Sequence, residues 1–185
     1  FTGASSLRKG SRNVFHVRAS YTDEVRRLVQ RLAGMGLKDI GIVNLDNAYG
    51  REMLEDSTRF FADQGLKPLV QAALATDGKN LSDVLAKVGQ ARPAAVLLAT
   101  AGTASVELVR GLKKNLPGVL MAGLSVTLTS DGLKQLGDAG SGLGQVFTED
   151  EYGVVLFDLS HRGDRQRAVA QDLQHQAQVA QLGSI

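Results

Sequence analysis

Residues 40–45 read Ile-Gly-Ile-Val-Asn-Leu, followed by an Asp46-Asn47 turn and a helical pattern over residues 49–64. A short run that is mostly apolar and carries no charge is typical of a strand covered on both of its faces. The helix after it repeats apolar residues at helical spacing, and Gly65 marks its end. A buried strand followed directly by a helix predicts half of a parallel βαβ unit.

The same alternation continues on both sides of this unit, from residue 14 to residue 148. Residues 13–18 are predicted to be extended, and further strands are predicted at residues 66–74, 94–100, 119–124 and 145–148. Further helices are predicted to begin at Ser20 and Asn80 and to cover residues 103–114 and 129–136. Short apolar strands separated by helices are typical of a parallel sheet with helices on both faces. We therefore predict an α/β fold with a doubly wound, mostly parallel sheet of about five strands, joined by right-handed crossovers.

Two helix starts carry specific signals. Ser20 is followed three residues later by Asp23, the spacing of a capping box. Asn80 stands before a run in which the apolar residues fall in helical register, so we expect it to cap that helix. Beyond residue 148 the pattern changes: residues 152–159 hold one more apolar stretch, and residues 162–182, rich in Gln, Arg and Ala, predict a polar helix.

Composition excludes several classes of protein. Lys and Arg total 21 against 19 for Asp and Glu, and these charges are interspersed, so we expect no nucleic-acid partner. The chain has no cysteine, and no apolar run approaches the roughly 20 residues of a membrane span, so we expect no disulfide and no membrane insertion. His16, His161 and His175 are far apart, which predicts no metal site.

No cofactor motif is present either. The glycines of residues 140–144 have the wrong spacing for a dinucleotide fingerprint, and they precede a predicted strand where the fingerprint must follow one. A phosphate-binding loop of the G-x-x-x-x-G-K-[ST] type is absent from the sequence. We therefore predict that the protein needs no cofactor.

An open α/β sheet binds ligands at the carboxyl ends of its strands. Here those ends are residues 46–49, 76–77, 100–103 and 123–127. They offer hydroxyls, backbone amides and the ring of Tyr49, which could equally be a packing residue at the helix start, but no dense set of catalytic acids and bases. This rim predicts a binding protein and not an enzyme. The alternative is a stand-alone flavodoxin-like enzyme, or a receiver-type signalling domain phosphorylated on Asp46.

Three stretches of the chain carry a resemblance to a known family. The first is Phe1-Thr2-Gly3-Ala4 with the later run Arg-Ala-Ser-Tyr-Thr-Asp-Glu at residues 18–24. The second is Ile40–Val43 followed by Asp-Asn-Ala-Tyr-Gly at residues 46–50, and the third is residues 91–98 with the Met121-Ala122-Gly123 strand. Over residues 1–148 the chain resembles the type I periplasmic solute-binding proteins that feed branched-chain amino acid ABC transporters.

This resemblance implies a domain organisation and a location. Residues 1–13 are similar to the hinge and the end of a first lobe, residues 14–148 to the second α/β lobe, and residues 149–185 are a divergent tail. The family implies a small-molecule solute and an ABC transporter permease as partners of a longer parent protein. It also implies a periplasmic location, with the export signal outside this chain. For these 185 residues alone we expect weak binding or none, because half of the pocket walls would be missing.

The resemblance also implies individual site residues. Tyr49 matches the tyrosine that packs on the solute, the loop Ala101-Gly102-Thr103 matches a contact loop of the second lobe, and Thr2, Gly3 and Ala4 match a first-lobe loop. Ser125 stands where amino acid binders of the family carry an acidic residue. The family implies a small polar solute such as an amino acid or a related carboxylate. Because a buried ammonium without a carboxylate is costly, the serine argues against a free aliphatic amino acid and leaves aromatic or carboxylic compounds open.

Overall fold

The computed structural model describes residues 20–127, 130–136 and 155–157, which hold five helices and five strands. In chain order the elements are α1 (Tyr21–Gly34), β1 (Ile40–Leu45), α2 (Ala48–Asp63), β2 (Val70–Leu74), α3 (Leu81–Ala91), β3 (Ala95–Ala99), α4 (Thr103–Asn115), β4 (Leu120–Gly123), α5 (Ser130–Leu136) and β5 (Val155–Phe157). Strand and helix alternate from β1 to α5, as the hydrophobic pattern predicts.

The strands form one sheet in the order β2-β1-β3-β4-β5. The first four run parallel, and β5 pairs antiparallel with β4. In register, Asn44 of β1 lies beside Ala99 of β3, and Leu98 of β3 lies beside Gly123 of β4. The prediction of a doubly wound, mostly parallel sheet of about five strands is therefore confirmed.

Each face of the sheet has its own buried core. Ile40, Ile42 and Leu97 point to the face covered by α1 and α2, where Phe61 is fully buried. The opposite face contains Val43, Val96 and Leu98, and it is covered by α3, α4 and α5. Because successive strand residues point to opposite faces, a strand buried on both sides is apolar almost throughout, which is the pattern of residues 40–45.

The predicted start of α1 is confirmed. The backbone N–H of Asp23 donates to Ser20 Oγ at 3.1 Å, and the backbone N–H of Ser20 donates to the Asp23 carboxylate at 3.3 Å. These two bonds form the reciprocal capping box, which satisfies backbone donors that the first helical turn cannot satisfy itself.

Two details of the prediction were wrong. The second strand begins at Val70 and not at residue 66, because Pro68 has no N–H to donate to a ladder and pairing with β1 starts after it. Asn80 stands at the start of α3, but its side chain does not cap the helix. It accepts from the N–H of Ala75 at 2.8 Å and donates to the carbonyl of Ala73 at 2.9 Å, so it closes the end of β2.

Other predictions lie outside the described residues. These are the extended segment at residues 13–18, the strand at residues 145–148 and the polar helix at residues 162–182. The apolar stretch at residues 152–159 is described only where it forms β5. No helix among the described residues is long and apolar enough to cross a membrane.

Candidate ligand-binding site

The carboxyl ends of β1, β3 and β4 lie side by side at one edge of the sheet. The register that joins Asn44 to Ala99 and Leu98 to Gly123 brings the segments after these strands together. Tyr49, the loop Ala101-Gly102-Thr103 and Ser125 all belong to those segments, so the topology puts these predicted residues along one edge. Such an edge is where open α/β sheets bind ligands.

Tyr49 lies in the first turn of α2, and Asn47 and Gly50 on either side of it fix the position of that turn. Asn47 is the N-cap of the helix, and its Oδ1 accepts from the N–H of Gly50 at 2.8 Å. Gly50 lies directly against the end of β1: a Cβ built on it would be 1.9 Å from the carbonyl oxygen of Leu45. Only glycine fits so close to the strand, and this approach fixes the position of Tyr49 over the strand end.

The Tyr49 side chain is half-buried and packs against both cores. Its ring meets the ring of Tyr21 edge to face, with centroids 5.5 Å apart. Its hydroxyl is shielded from solvent and has no hydrogen-bond partner in the part of the chain that the structure describes. Burial raises the pKa of the Tyr49 phenol far above its ordinary value, and electrostatic interaction with Tyr21, Glu24 and Glu52 acts in the same direction.

Ser125 is half-buried in the turn after β4, and it contacts a carboxylate from a distant part of the chain. Its N–H donates to Glu24 Oε2 at 2.9 Å, and its hydroxyl donates to Glu24 Oε1 at 2.8 Å. Glu24 is only 1% exposed and lies in the first turn of α1, where the helix dipole favours negative charge. The site therefore contains an acidic group next to residue 125, although residue 125 itself is serine.

The same turn is fixed from a second side. The Thr127 hydroxyl, fully buried, donates to the carbonyl of Leu98 at 3.0 Å, and the N–H of Thr127 donates to the carbonyl of Leu124 at 2.9 Å. The bond from the hydroxyl ties the turn after β4 to β3, its neighbour in the sheet, and the bond from the N–H closes the turn itself. Ser125 therefore sits on a turn that is anchored at both ends.

The loop at residues 101–103 leads from β3 into α4. Gly102 and Thr103 are exposed, and Gly102 begins α4 with a φ of 78° and no side-chain cap, a backbone conformation that favours glycine. Close to this loop in sequence, the hydroxyls of Thr100 and Ser105 are buried without a hydrogen-bond partner among the described residues. Unpaired buried hydroxyls are costly, and here they flank the edge where the predicted site residues lie.

Glu24 and Ser105 were not identified as candidate site residues from the sequence. Glu24 carried a signal, since it precedes Leu28 by four residues and therefore shares the buried stripe of α1, where a lone acid is unusual. Ser105 carried no comparable signal. Thr2, Gly3 and Ala4 lie outside the described residues.

Metal-binding groups and cavities are the other features of the described residues that bear on ligand binding. Within the described ranges, no group of three or more His, Asp or Glu side chains is arranged to hold a metal ion. A cavity of about 290 Å³ lies between the ends of α1 and α2, lined among others by Gln30, Leu37, Lys38, Gln64 and Leu66. Because its lining residues precede β1 and β2, this cavity lies at the amino edge of the sheet, opposite the strand ends described above.

The chain is similar in structure to several solved periplasmic binding proteins. Among solved structures, a substrate-binding periplasmic protein from Ralstonia solanacearum is 25% identical with a TM-score of 0.61, over 68% of this chain and 35% of that one. A branched-chain amino acid ABC transporter protein from Thermus thermophilus with bound valine is 20% identical with a TM-score of 0.65, over 76% and 38%. A solute-binding protein from R. palustris in complex with benzoate is 16% identical with a TM-score of 0.63, over 88% and 43%.

These alignments cover between 35% and 43% of each solved chain, so the present sequence spans less than half the length of the proteins it resembles. No curated protein sequence matches the chain. The family model for periplasmic binding proteins matches residues 1–181, nearly the whole sequence. Together with the parallel sheet and its solved neighbours, this match shows that the chain belongs to the type I periplasmic binding protein family.

Proposed function

We propose that this chain supplies one lobe of a solute-binding protein of an ABC transporter, and that a small polar solute binds at the carboxyl edge of its sheet. The family binds small-molecule solutes and works with ABC transporters. The proposed solute is an amino acid or a related carboxylate, enclosed between this lobe and a second one. In this role the chain carries out no chemical reaction.

The observation that supports this site is the grouping of polar side chains at the strand ends. Three neighbouring strands are followed by Tyr49, by the buried hydroxyl of Thr100 and by Ser125, which bonds to Glu24 of α1. Both cores that cover the sheet consist of apolar side chains. A rim of this kind can orient a small solute by hydrogen bonds and by contact with an aromatic ring. Within the described ranges, no comparable grouping of catalytic acids and bases lies at these strand ends.

The permease partner and the location are part of the same proposal. Members of this family are periplasmic, and we propose that the protein containing this chain is exported and delivers its solute to a membrane permease. Thr2, Gly3 and Ala4 are proposed to contact the solute from the hinge side, and Ala101, Gly102 and Thr103 from the segment that leads into α4. The flavodoxin-like or receiver alternative is not favoured, since the family model covers residues 1–181.

Calorimetric titration of the full natural protein that contains this chain tests the proposal. The probes are a panel of amino acids and small aromatic and aliphatic carboxylates. For the best probe we expect Tyr49→Ala to weaken binding by roughly tenfold or more, about 1.4 kcal/mol, because the ring contact is lost. Tyr49→Phe keeps the ring and should bind within a few-fold of the natural protein, since the Tyr49 hydroxyl is already shielded.

The matched control is Leu69→Ala, which removes an exposed apolar side chain before β2, at the opposite edge of the sheet. It should leave affinity unchanged. Each variant is checked by thermal unfolding, so that a loss of fold is separated from a loss of contact. The proposal fails if the folded natural protein binds no probe, or if Tyr49→Ala and Leu69→Ala bind equally well. We expect the 185-residue chain alone to bind no probe with micromolar affinity, because in this proposal a second lobe forms the other wall of the pocket.

A further inference from the structure

We propose that the side chain of Asn80 closes the open edge of the sheet, and that this prevents β2 from pairing with β2 of a second copy of the protein. In the part of the chain that the structure describes, β2 is an edge strand that pairs with β1 alone. Such a strand presents a row of backbone N–H and C=O groups to which another strand can bind. This edge is separate from the candidate site at the strand ends, so its role does not depend on the proposed function.

Alternate residues of β2 direct their backbone groups away from β1. The N–H of Asp46 donates to the carbonyl of Leu74 at 2.8 Å, so the backbone of Leu74 faces β1. In a parallel ladder the N–H and C=O of one residue face the same neighbouring strand, and those of the next residue face the other way. The backbone groups of Gln71 and Ala73, and the N–H of Ala75, therefore face the open edge.

The Asn80 carboxamide occupies one position on that open edge. Its Nδ2 donates to the carbonyl of Ala73 at 2.9 Å, and its Oδ1 accepts from the N–H of Ala75 at 2.8 Å. A residue of a neighbouring parallel strand, placed opposite Leu74, would make the same two bonds with its own N–H and C=O. The side chain of Asn80 therefore takes the place of a further strand and uses both groups that such a strand would need.

The turn after β2 brings Asn80 back to the strand. Gly78 has a φ of 72°, a conformation that favours glycine, and its N–H donates to the carbonyl of Ala75 at 2.9 Å. The N–H of Lys79 donates to the Asp77 carboxylate at 3.2 Å. Because these local bonds fix the turn, little further conformational entropy is lost when the Asn80 side chain is held against the edge.

The other end of the edge is protected by residues of a different kind. Pro68 has no N–H to donate, and Lys67 beside it is exposed and charged. Proline and lysine at a strand edge both oppose pairing with another chain. The stretch that could pair, between Pro68 and Asn80, is only a few residues long, so the position that Asn80 occupies is a large part of it.

A second copy of the same protein is the partner that this edge fits. Two β2 edges related by a two-fold axis would pair antiparallel, and each would supply the donors that the other accepts. The side chains of Gln71 and Ala73 are exposed and uncharged, so they would place no like charges opposite each other across the axis. If Asn80 did not cover the edge, two five-stranded sheets would join into one.

Light scattering coupled to size-exclusion chromatography tests this on the full natural protein that contains the chain. We expect the mass of the natural protein to be independent of concentration, and the mass of Asn80→Ala to rise with concentration towards twice that value. Adding Ala73→Lys to this variant should restore the natural mass, because it brings like charges together across the axis. Asn115→Ala is the matched control: it removes an exposed asparagine at the end of α4 and should leave the mass unchanged.

Amide hydrogen exchange of the natural protein, followed by NMR, tests the closure without any variant. The N–H of Ala75 donates to Asn80, so it should exchange roughly tenfold more slowly than the N–H of Ala73, the effect of about one hydrogen bond. Equal exchange at the two positions overturns the proposal. So does a folded Asn80→Ala protein, verified by thermal unfolding, whose mass does not change with concentration, or a dimer that Ala73→Lys does not dissociate. If Asn80→Ala does not fold, the exchange measurement decides.

Discussion

Tyr49 links the core and the candidate site within one side chain. Its ring packs on Tyr21 and on both faces of the core, while its hydroxyl lies in a shielded place with no partner among the described residues. A phenol in such a place is stable only when it is protonated, because ionisation would bury a negative charge next to Glu24.

The raised pKa of Tyr49 predicts a loss of stability at high pH. In the unfolded chain the phenol releases its proton above about pH 10, whereas the folded protein retains it. The folded state then binds more protons than the unfolded state, so the free energy of unfolding falls as the pH rises above that value. Urea unfolding at about pH 8 and about pH 11 should show a smaller fall for Tyr49→Phe than for the natural chain. An equal fall in both proteins would contradict the shift.

Glu24 and Asn80 show what can be predicted about individual residues from sequence. A single acid on the apolar stripe of α1 indicates that Glu24 is buried, but its partner Ser125 is 101 residues away, and no local pattern indicates that contact. Asn80 has the residue type and position of a helix cap. Its side chain instead bonds to the backbone at the end of β2, since a nearby strand end offered a donor and an acceptor at the same time.

At the scale of elements, the junction of β1 with α2 determines where the candidate site lies. Gly50 allows the first turn of α2 to rest against the carbonyl of Leu45, and Asn47 caps that turn. The sequence predicted both elements almost to the residue, because the apolar strand, the Asp-Asn turn and Gly65 are strong local signals. It could not predict how closely the helix approaches the strand, since that distance depends on the packing of α2 against α1 and the sheet.

Substituting Gly50 by alanine should therefore displace the start of α2. The added Cβ would lie 1.9 Å from a backbone oxygen, which no side-chain rotation can relieve, so we expect a loss of about 2 kcal/mol or more in the free energy of unfolding. Urea denaturation followed by circular dichroism measures this loss. The edge-to-face contact between Tyr49 and Tyr21 should also weaken, which would show in the near-ultraviolet spectrum.

Gly89→Ala is the matched control for that experiment. Gly89 also lies in a helix, α3, but nothing lies within 4 Å of a Cβ built on it. Alanine is the better helix former there, so we expect a gain of up to about 1 kcal/mol. If the two glycine variants were equally stable, the close approach of α2 to β1 would not constrain the fold.

For the molecule as a whole, the alternation of strands and helices was enough to predict a parallel sheet covered on both faces. Short strands that are apolar throughout can be buried only between two layers of helices, which is the arrangement found for β1 and β3. Strand order was not predictable from the pattern, because β1 lies between β2 and β3 through contacts that are distant in sequence. The antiparallel pairing of β5 with β4 was not predictable either, since the apolar pattern of residues 152–159 indicates neither a partner strand nor a direction.

The two cores share one sheet, so they should unfold together. Leu97 and Leu98 are adjacent, fully buried and directed to opposite faces of β3. Replacing either by alanine should cost about 2–5 kcal/mol. Because the strand is common to both layers, each variant should lower protection from hydrogen exchange in α2 and in α4 alike, as expected for one cooperative unit. Hydrogen exchange followed by mass spectrometry resolves the two helices. The opposite outcome would be a loss of protection in α1 and α2 of Leu97→Ala, with α3 and α4 as protected as in the natural chain. The two faces would then be independent folding units. The candidate site takes residues from both faces, so part of it would unfold before the rest.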